Sequence, residues 1–132
     1  MKNSILKTHI ILYVEDQERS TKFYSAVLEI KPRLNVPGMT EFELGDEIIL
    51  GLMPYSSAEK LLGKNFKNKN LEKPIPKTEL YLITDKPNTF HKRALENGAE
   101  EISPLLKRDW GHKAAYSIDF DGNILAFAEI IK

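Results

Sequence analysis

Two stretches decide the fold: HIILYVED, from His9 to Asp16, and ELYLITD, from Glu79 to Asp85. Each reads as a β-strand that ends on an acidic residue and runs into a helical segment. His9 stands seven residues before Asp16 and Glu79 six before Asp85. Alternation puts His9, Ile11 and Tyr13 on one face, and Ile10, Leu12 and Val14 on the other. The second face is wholly aliphatic and is expected to pack on a helix. The first carries the polar atoms. Glu79, Tyr81 and Ile83 repeat that arrangement against Leu80, Leu82 and Thr84.

The segments after the two strands repeat as well. After the first comes DQERSTKFYSAVLEI, with Asp16 as N-cap and Phe23, Tyr24, Val27, Leu28 and Ile30 as an apolar helical stripe. KPRLNV, MTEFELG and EIILGLMP then read as three short strands, separated by turns at Pro37-Gly38 and Gly45-Asp46. After the second comes KPNTFHKRALENGAE, a helix with Gly98 at its C-terminal end. EISPLLKR, HKAAYSIDF and NILAFAEII complete the module as strands, with Asp121-Gly122-Asn123 as the last turn. DFDGN lacks the alternating oxygens and distal glutamate of a calcium loop and reads as a turn.

The order is therefore βαβββ, a connection, and βαβββ, an α+β chain with module 1 at about residues 5–53 and module 2 at about 78–132. Residues 54–77 lie outside the repeat. SSAEKLLG reads as a short helix with a Ser56/Glu59 capping box, and a lysine-rich stretch ending in two prolines comes after it. Its lysines (Lys60, Lys64, Lys67, Lys69, Lys73, Lys77) read as a solvated connection.

Composition removes several functions. With 132 residues the chain is sized for one domain with a real core. A formal net charge of +0 gives no global field for nucleic acid or an anionic membrane. No cysteine is present, which excludes disulfides, thiolate zinc and a cysteine nucleophile. The apolar run Ile10 to Leu12 is too short for a signal peptide or a membrane span, so a cytoplasmic location is expected.

YVEDQERSTKFYSAVLEI, TELYLITD with RALENGAE, and RDWGHKAAYSIDFDGNILAFAE together resemble the vicinal oxygen chelate superfamily. That group holds glyoxalase I, the bleomycin-resistance proteins and the extradiol dioxygenases. The resemblance covers nearly the whole chain apart from the connection. It implies that the two modules form a pair of half-barrels around a cavity. It also implies a homodimer, since half-barrels leave sheet edges that a second copy covers. Metal-dependent members place ligands on the first and last strands of each module. The first-strand positions correspond to His9 and Glu79. The last-strand positions fall at Gly51 and Ala126, which carry no donor. His9 and Glu79 are thus candidate but incomplete metal ligands, because a catalytic ion usually takes three protein ligands. Without a metal they read as a charge-paired couple or as a general acid and base.

The same inward parity gathers Ile11, Tyr13, Ile49, Met53, Tyr81 and Ile83, an apolar-aromatic lining for a small organic ligand. Trp110, on a hairpin beside Arg108 and Asp109, reads as a lip residue that stacks on the ligand. Tyr13, Met53, Tyr81 and Trp110 are the expected ligand-binding residues. His91 reads as helix surface and His112 as a hairpin residue, and neither is given a role. Glu43 and His112 are not expected on the cavity face, and Glu129 lies on the face opposite Ala126. Two functions are open. One is a small-molecule-binding protein of the bleomycin-resistance type without a tightly bound metal or other cofactor. The alternative is a glyoxalase-like lyase or dioxygenase-type enzyme, with a weakly held divalent metal on His9 and Glu79.

Overall fold

The computed structural model describes residues 4–63, 76 and 78–132. Its elements repeat in order. β1 (Thr8–Val14), α1 (Gln17–Leu28), β2 (Leu34–Val36), β3 (Met39–Leu44), β4 (Ile48–Pro54) and α2 (Tyr55–Leu62) come first. β5 (Glu79–Ile83), α3 (Pro87–Glu96), β6 (Glu100–Lys107), β7 (His112–Ile118) and β8 (Ile124–Ile130) come after them. One sheet has the order β1-β4-β3-β2 and the other β5-β8-β7-β6, each with its first strand parallel to its last. The chain divides into two compact units, residues 1–25 with 29–69 and residues 26–28 with 70–132. This is the α+β, two-module βαβββ architecture expected from the repeat. Among the described residues, no helix is long and apolar enough to cross a membrane.

In the first unit, Leu12, Val14, Phe42, Leu50 and Leu52 lie on one sheet face and are almost wholly buried. Each such side chain contributes about 1.5–3 kcal/mol of burial free energy. α1 is tied to this face by the hydroxyls of Thr21 and Thr40, 2.8 Å apart. Gln17 adds to the tie: its amide donates to the Val36 carbonyl and to Thr40 Oγ1, and accepts from the Gly38 N–H. One glutamine thereby fixes the β2–β3 turn against the start of the helix. Asp16 caps that start by accepting from the Arg19 N–H at 3.0 Å, as its position implies.

Three local expectations change. α1 ends at Leu28 with Glu29 in the left-handed region (φ 54°), so Ile30 falls outside the helix. β2 covers only Leu34–Val36, since Pro32 lacks the N–H a ladder needs. α2 begins at Tyr55, directly after β4, with Pro54 at the N-cap and no side-chain cap bond. Ser56 is already helical and forms no capping box. The lysines from Lys64 onward lie outside the described residues, while Lys60 is an exposed residue of α2.

In the second unit, Leu80, Ala115, Ser117, Leu125 and Phe127 are buried on the face that receives α3. Phe90 of that helix stacks on Phe127 with ring centroids 5.5 Å apart. His91 is buried rather than on the helix surface, with Nε2 2.9 Å from the Glu101 carboxylate. The last hairpin is held by Asp119, whose Oδ1 accepts from the N–H groups of Asp121 and Asn123, which makes DFDGN a turn.

Candidate functional site

Register places the candidate residues on one face of each sheet. In the first sheet His9 lies beside Ile49 and then Glu43, and Ile11 lies beside Gly51 and then Glu41. Tyr13 pairs with Met53. In the second sheet Glu79 lies beside Ile124 and then Ile118, and Tyr81 beside Ala126 and then Tyr116. Ile83 lies beside Ala128 and Ala114, and His112 pairs with Ile130. The two grids correspond position by position, so His9 is the equivalent of Glu79 and Gly51 of Ala126. Glu129 pairs with Lys113, in the opposite parity to Ala126.

Two residues not expected on this face are on it. Glu43 neighbours His9 through Ile49, and His112 shares the face of Tyr81. Alternation along Met39, Glu41 and Glu43, and along His112, Ala114 and Tyr116, carries this information. It becomes readable only once the strand starts are fixed.

The first sheet's polar group is built around Glu41, which periodicity alone does not single out. Its Oε1 accepts from Arg33 Nη2 at 2.9 Å and from Nε at 3.0 Å, and its Oε2 lies 3.7 Å from His9 Nδ1. Glu41 therefore stands between a guanidinium and an imidazole, with little of its side chain exposed. Gly51 offers no open space: a Cβ built there would lie 2.5 Å from Ile11 Cδ1 and 3.2 Å from Met39 Sδ. The place above the glycine is filled by side-chain ends.

The second sheet's face is a floor of small residues inside an aromatic rim. Ala114, Ala126 and Ala128 are fully buried. Tyr81 crosses above them from β5 to reach β7, and its hydroxyl lies 2.6 Å from His112 Nδ1. Trp110, in the β6–β7 turn, donates its indole N–H to the same hydroxyl at 2.8 Å. Tyr116 closes another side, with the Arg108 guanidinium carbon 5.0 Å from its ring centroid. Burial raises the Tyr116 phenol above its ordinary value, the charges of Glu79 and Tyr81 add to this, and Arg108 partly opposes it. A groove of about 610 Å³ runs past Ile83, Asp85, Lys113, Glu129 and Ile130, and it is not lined by the aromatic rim.

The residues do not fit a closed metal centre. The last-strand positions, Gly51 and Ala126, have no donor atoms, and the space over Gly51 is taken. Among the described residues, no three His, Asp or Glu side chains gather as a metal-holding group.

Two βαβββ modules whose first and last strands run parallel, with candidate side chains at matched places on each, define the vicinal oxygen chelate fold. The chain belongs to the glyoxalase-like domain family, whose profile matches residues 7–132. Solved structures agree. A glyoxalase/bleomycin resistance protein/dioxygenase from Nocardioides is 19% identical with a TM-score of 0.77, over 100% of this chain and 87% of that one. One from Burkholderia phytofirmans PsJN is 16% identical with a TM-score of 0.79, over 93% and 97%. A glyoxalase-related enzyme from Fulvimarina pelagi is 18% identical with a TM-score of 0.78, over 92% and 86%. None of the curated proteins compared with the chain matches it.

Proposed function

We propose that this protein binds a small, flat organic molecule against the aromatic-rimmed face of its second sheet, without a tightly held metal. The observation that carries this is the cluster of part-exposed rings, Tyr81, Tyr116, Trp110 and His112, gathered over the buried alanines at one sheet face. This rim supplies stacking surface with a few oriented polar atoms. Structural neighbours carry the joint name glyoxalase/bleomycin resistance protein/dioxygenase.

Glu79 is read as a polar residue of the second sheet's face and His9 as one of the first sheet's, neither as a metal ligand. Glu79 supplies an acceptor at one end of the second sheet's grid. His9 supplies an imidazole backed by the Arg33-anchored carboxylate of Glu41. Tyr13 and Met53 extend the apolar surface of the first sheet. The working form is a cytoplasmic homodimer, because β1, β2, β5 and β6 edge the two sheets and a second copy covers such edges.

The test uses the single tryptophan. Trp110 emission is titrated with a panel of bicyclic aromatic compounds, and the metal content of protein purified without added ions is measured. Saturable quenching at micromolar to low-millimolar ligand, with metal far below one per chain, is expected. Flat titrations across the panel, or a stoichiometric metal that survives chelation, would overturn the proposal.

A further inference from the structure

We infer that Trp110, Tyr81 and His112 form a hydrogen-bond relay that presents His112 Nε2–H as a donor to a planar oxygen acceptor of the ligand, a carboxylate or a carbonyl. This rests on the reading of the second sheet's face as a binding site and names the ligand chemistry it selects.

The direction of the relay is set by its first member. An indole nitrogen can only donate, so Tyr81 Oη must accept from Trp110 at 2.8 Å. With that acceptance made, the tyrosine's own proton has His112 Nδ1 within 2.6 Å, a short O–H···N distance. Nδ1 then accepts, and the neutral imidazole carries its proton on Nε2. The two ring nitrogens lie on different edges, so Nε2 faces away from Tyr81. Among the described residues, Nε2 makes no hydrogen bond. His112 is half-buried, so the donor is fixed in tautomer by protein atoms and left for something else to use.

A donor in that position selects for oxygen. A carboxylate or carbonyl accepts from Nε2–H while the body of the molecule lies against the exposed side of the aromatic rim. A compound of the same shape without an acceptor would displace water from Nε2–H and return nothing. The Tyr81–His112 bond also explains Ala128. That alanine sits on β8 between the strands that carry the two partners, beneath the bond that spans them.

The experiment is nitrogen NMR on the ¹⁵N-labelled full chain, with three probes of one shape: 2-naphthoate, 2-naphthamide and 2-ethylnaphthalene. Without ligand, His112 is expected as the neutral Nε2–H tautomer near pH 8, and Tyr81→Phe is expected to release it to a mixture. A mixed tautomer in the wild type, or one unchanged by Tyr81→Phe, overturns the relay whether or not anything binds. With probe, naphthoate and naphthamide are expected to bind about tenfold more tightly than ethylnaphthalene, the loss of one good hydrogen bond. His112→Phe should remove that preference while leaving the weaker binding. Equal affinity for all three probes refutes the oxygen selection. Binding by none of them, with the tautomer fixed, overturns the binding-site reading and the ligand class with it, but not the hydrogen-bond order.

Discussion

Replacing Arg108 by Ala tests whether the β6–β7 hairpin that presents Trp110 is held by one side chain. The ladder between these strands slips twice, between Glu101 and Ser103 and between Ser103 and Leu106. Arg108 reaches across this irregular stretch. Its Nε and Nη2 donate to the Ala114 carbonyl at 3.2 and 2.8 Å, and Nη2 also meets Ser103 Oγ at 2.7 Å and the Pro104 carbonyl at 3.3 Å. Hydrogen bonds from a charged donor are worth about 1.5–3 kcal/mol each, but Pro104 is at the surface and water replaces that contact. The half-buried contacts to Ala114 and Ser103 remain, together with a cation–π contact to Tyr116 of about 0.5–1 kcal/mol. The expected loss is about 2–3 kcal/mol. Urea unfolding monitored by Trp110 emission reads this unit directly. With a slope of about 1–3 kcal/mol per molar urea, the midpoint should fall by on the order of 1 M. Arg108→Lys should recover less than half, since an ammonium cannot fork across these acceptors. A midpoint for the Ala variant within about 0.3 M of the wild type would refute the reasoning.

Four further outcomes are expected. Ser117→Ala should leave stability unchanged or raise it by up to about 1 kcal/mol in thermal unfolding, because the buried Ser117 Oγ has no hydrogen-bond partner among the described residues; a loss above about 1 kcal/mol would show a hidden partner. Thr40→Val should cost about 2–3 kcal/mol in denaturant titration, since its hydroxyl meets Gln17, Thr21 and Asn35 in a buried place; a neutral result would show that the network contributes nothing net. Gly51→Ala should cost no more than about 1–2 kcal/mol, because the atoms its Cβ meets are the ends of Ile11 and Met39, which can rotate away; failure to fold would mean that the backbone, too, is in the way. The raised Tyr116 pKa implies that the unfolded chain releases this proton first, so its stabilising contribution is complete below pH 10 and is lost as pH rises from there through the folded value. In an alkaline titration by tyrosinate absorbance, Tyr116→Phe should remove a component that titrates above the ordinary phenol range, and removal of an ordinary one would contradict the assignment.

The repeat is legible because it is written in periods. Alternation in HIILYV and ELYLI fixes two strands and their buried faces. From these the equivalence of His9 with Glu79, and of Gly51 with Ala126, can be placed to the residue. Contact across strands is what escapes. Glu41 is visible in MTEFEL as one acidic residue among three short strands, but its tie to Arg33 depends on the β2–β3 pairing, which no local pattern states. His112 opens the strand HKAAYSIDF but reads as a hairpin residue because RDWGHK says nothing of which face it takes; the pairing with Ile130 puts it on the face of Tyr81. His91 looks exposed because a polar residue in a short helix usually is. Here Glu101, on the neighbouring strand β6, supplies the partner that permits its burial.

The paired grids argue that the two sheets share a register while their chemistry has diverged. At the place beside the last-strand gap, the first sheet has Glu41 and the second has Tyr116. On the other side of the gap stand Ile11 and Tyr81. In the first sheet Ile11 folds over Gly51, and the polar atoms are pushed to the His9–Glu41–Arg33 edge. In the second, Tyr81 reaches past Ala126 to His112, and the polar atoms gather at the rim above the buried alanines. The scaffold's symmetry therefore does not require a symmetric site. Replacing side chains at fixed register is enough to close one face with aliphatic carbon and to line the other with a hydrogen-bonded aromatic rim. Exchanging Ile11 for Tyr would accordingly fail to copy the second site, because its partner, Trp110 and the alanine floor have no equivalents at Met39 and Met53.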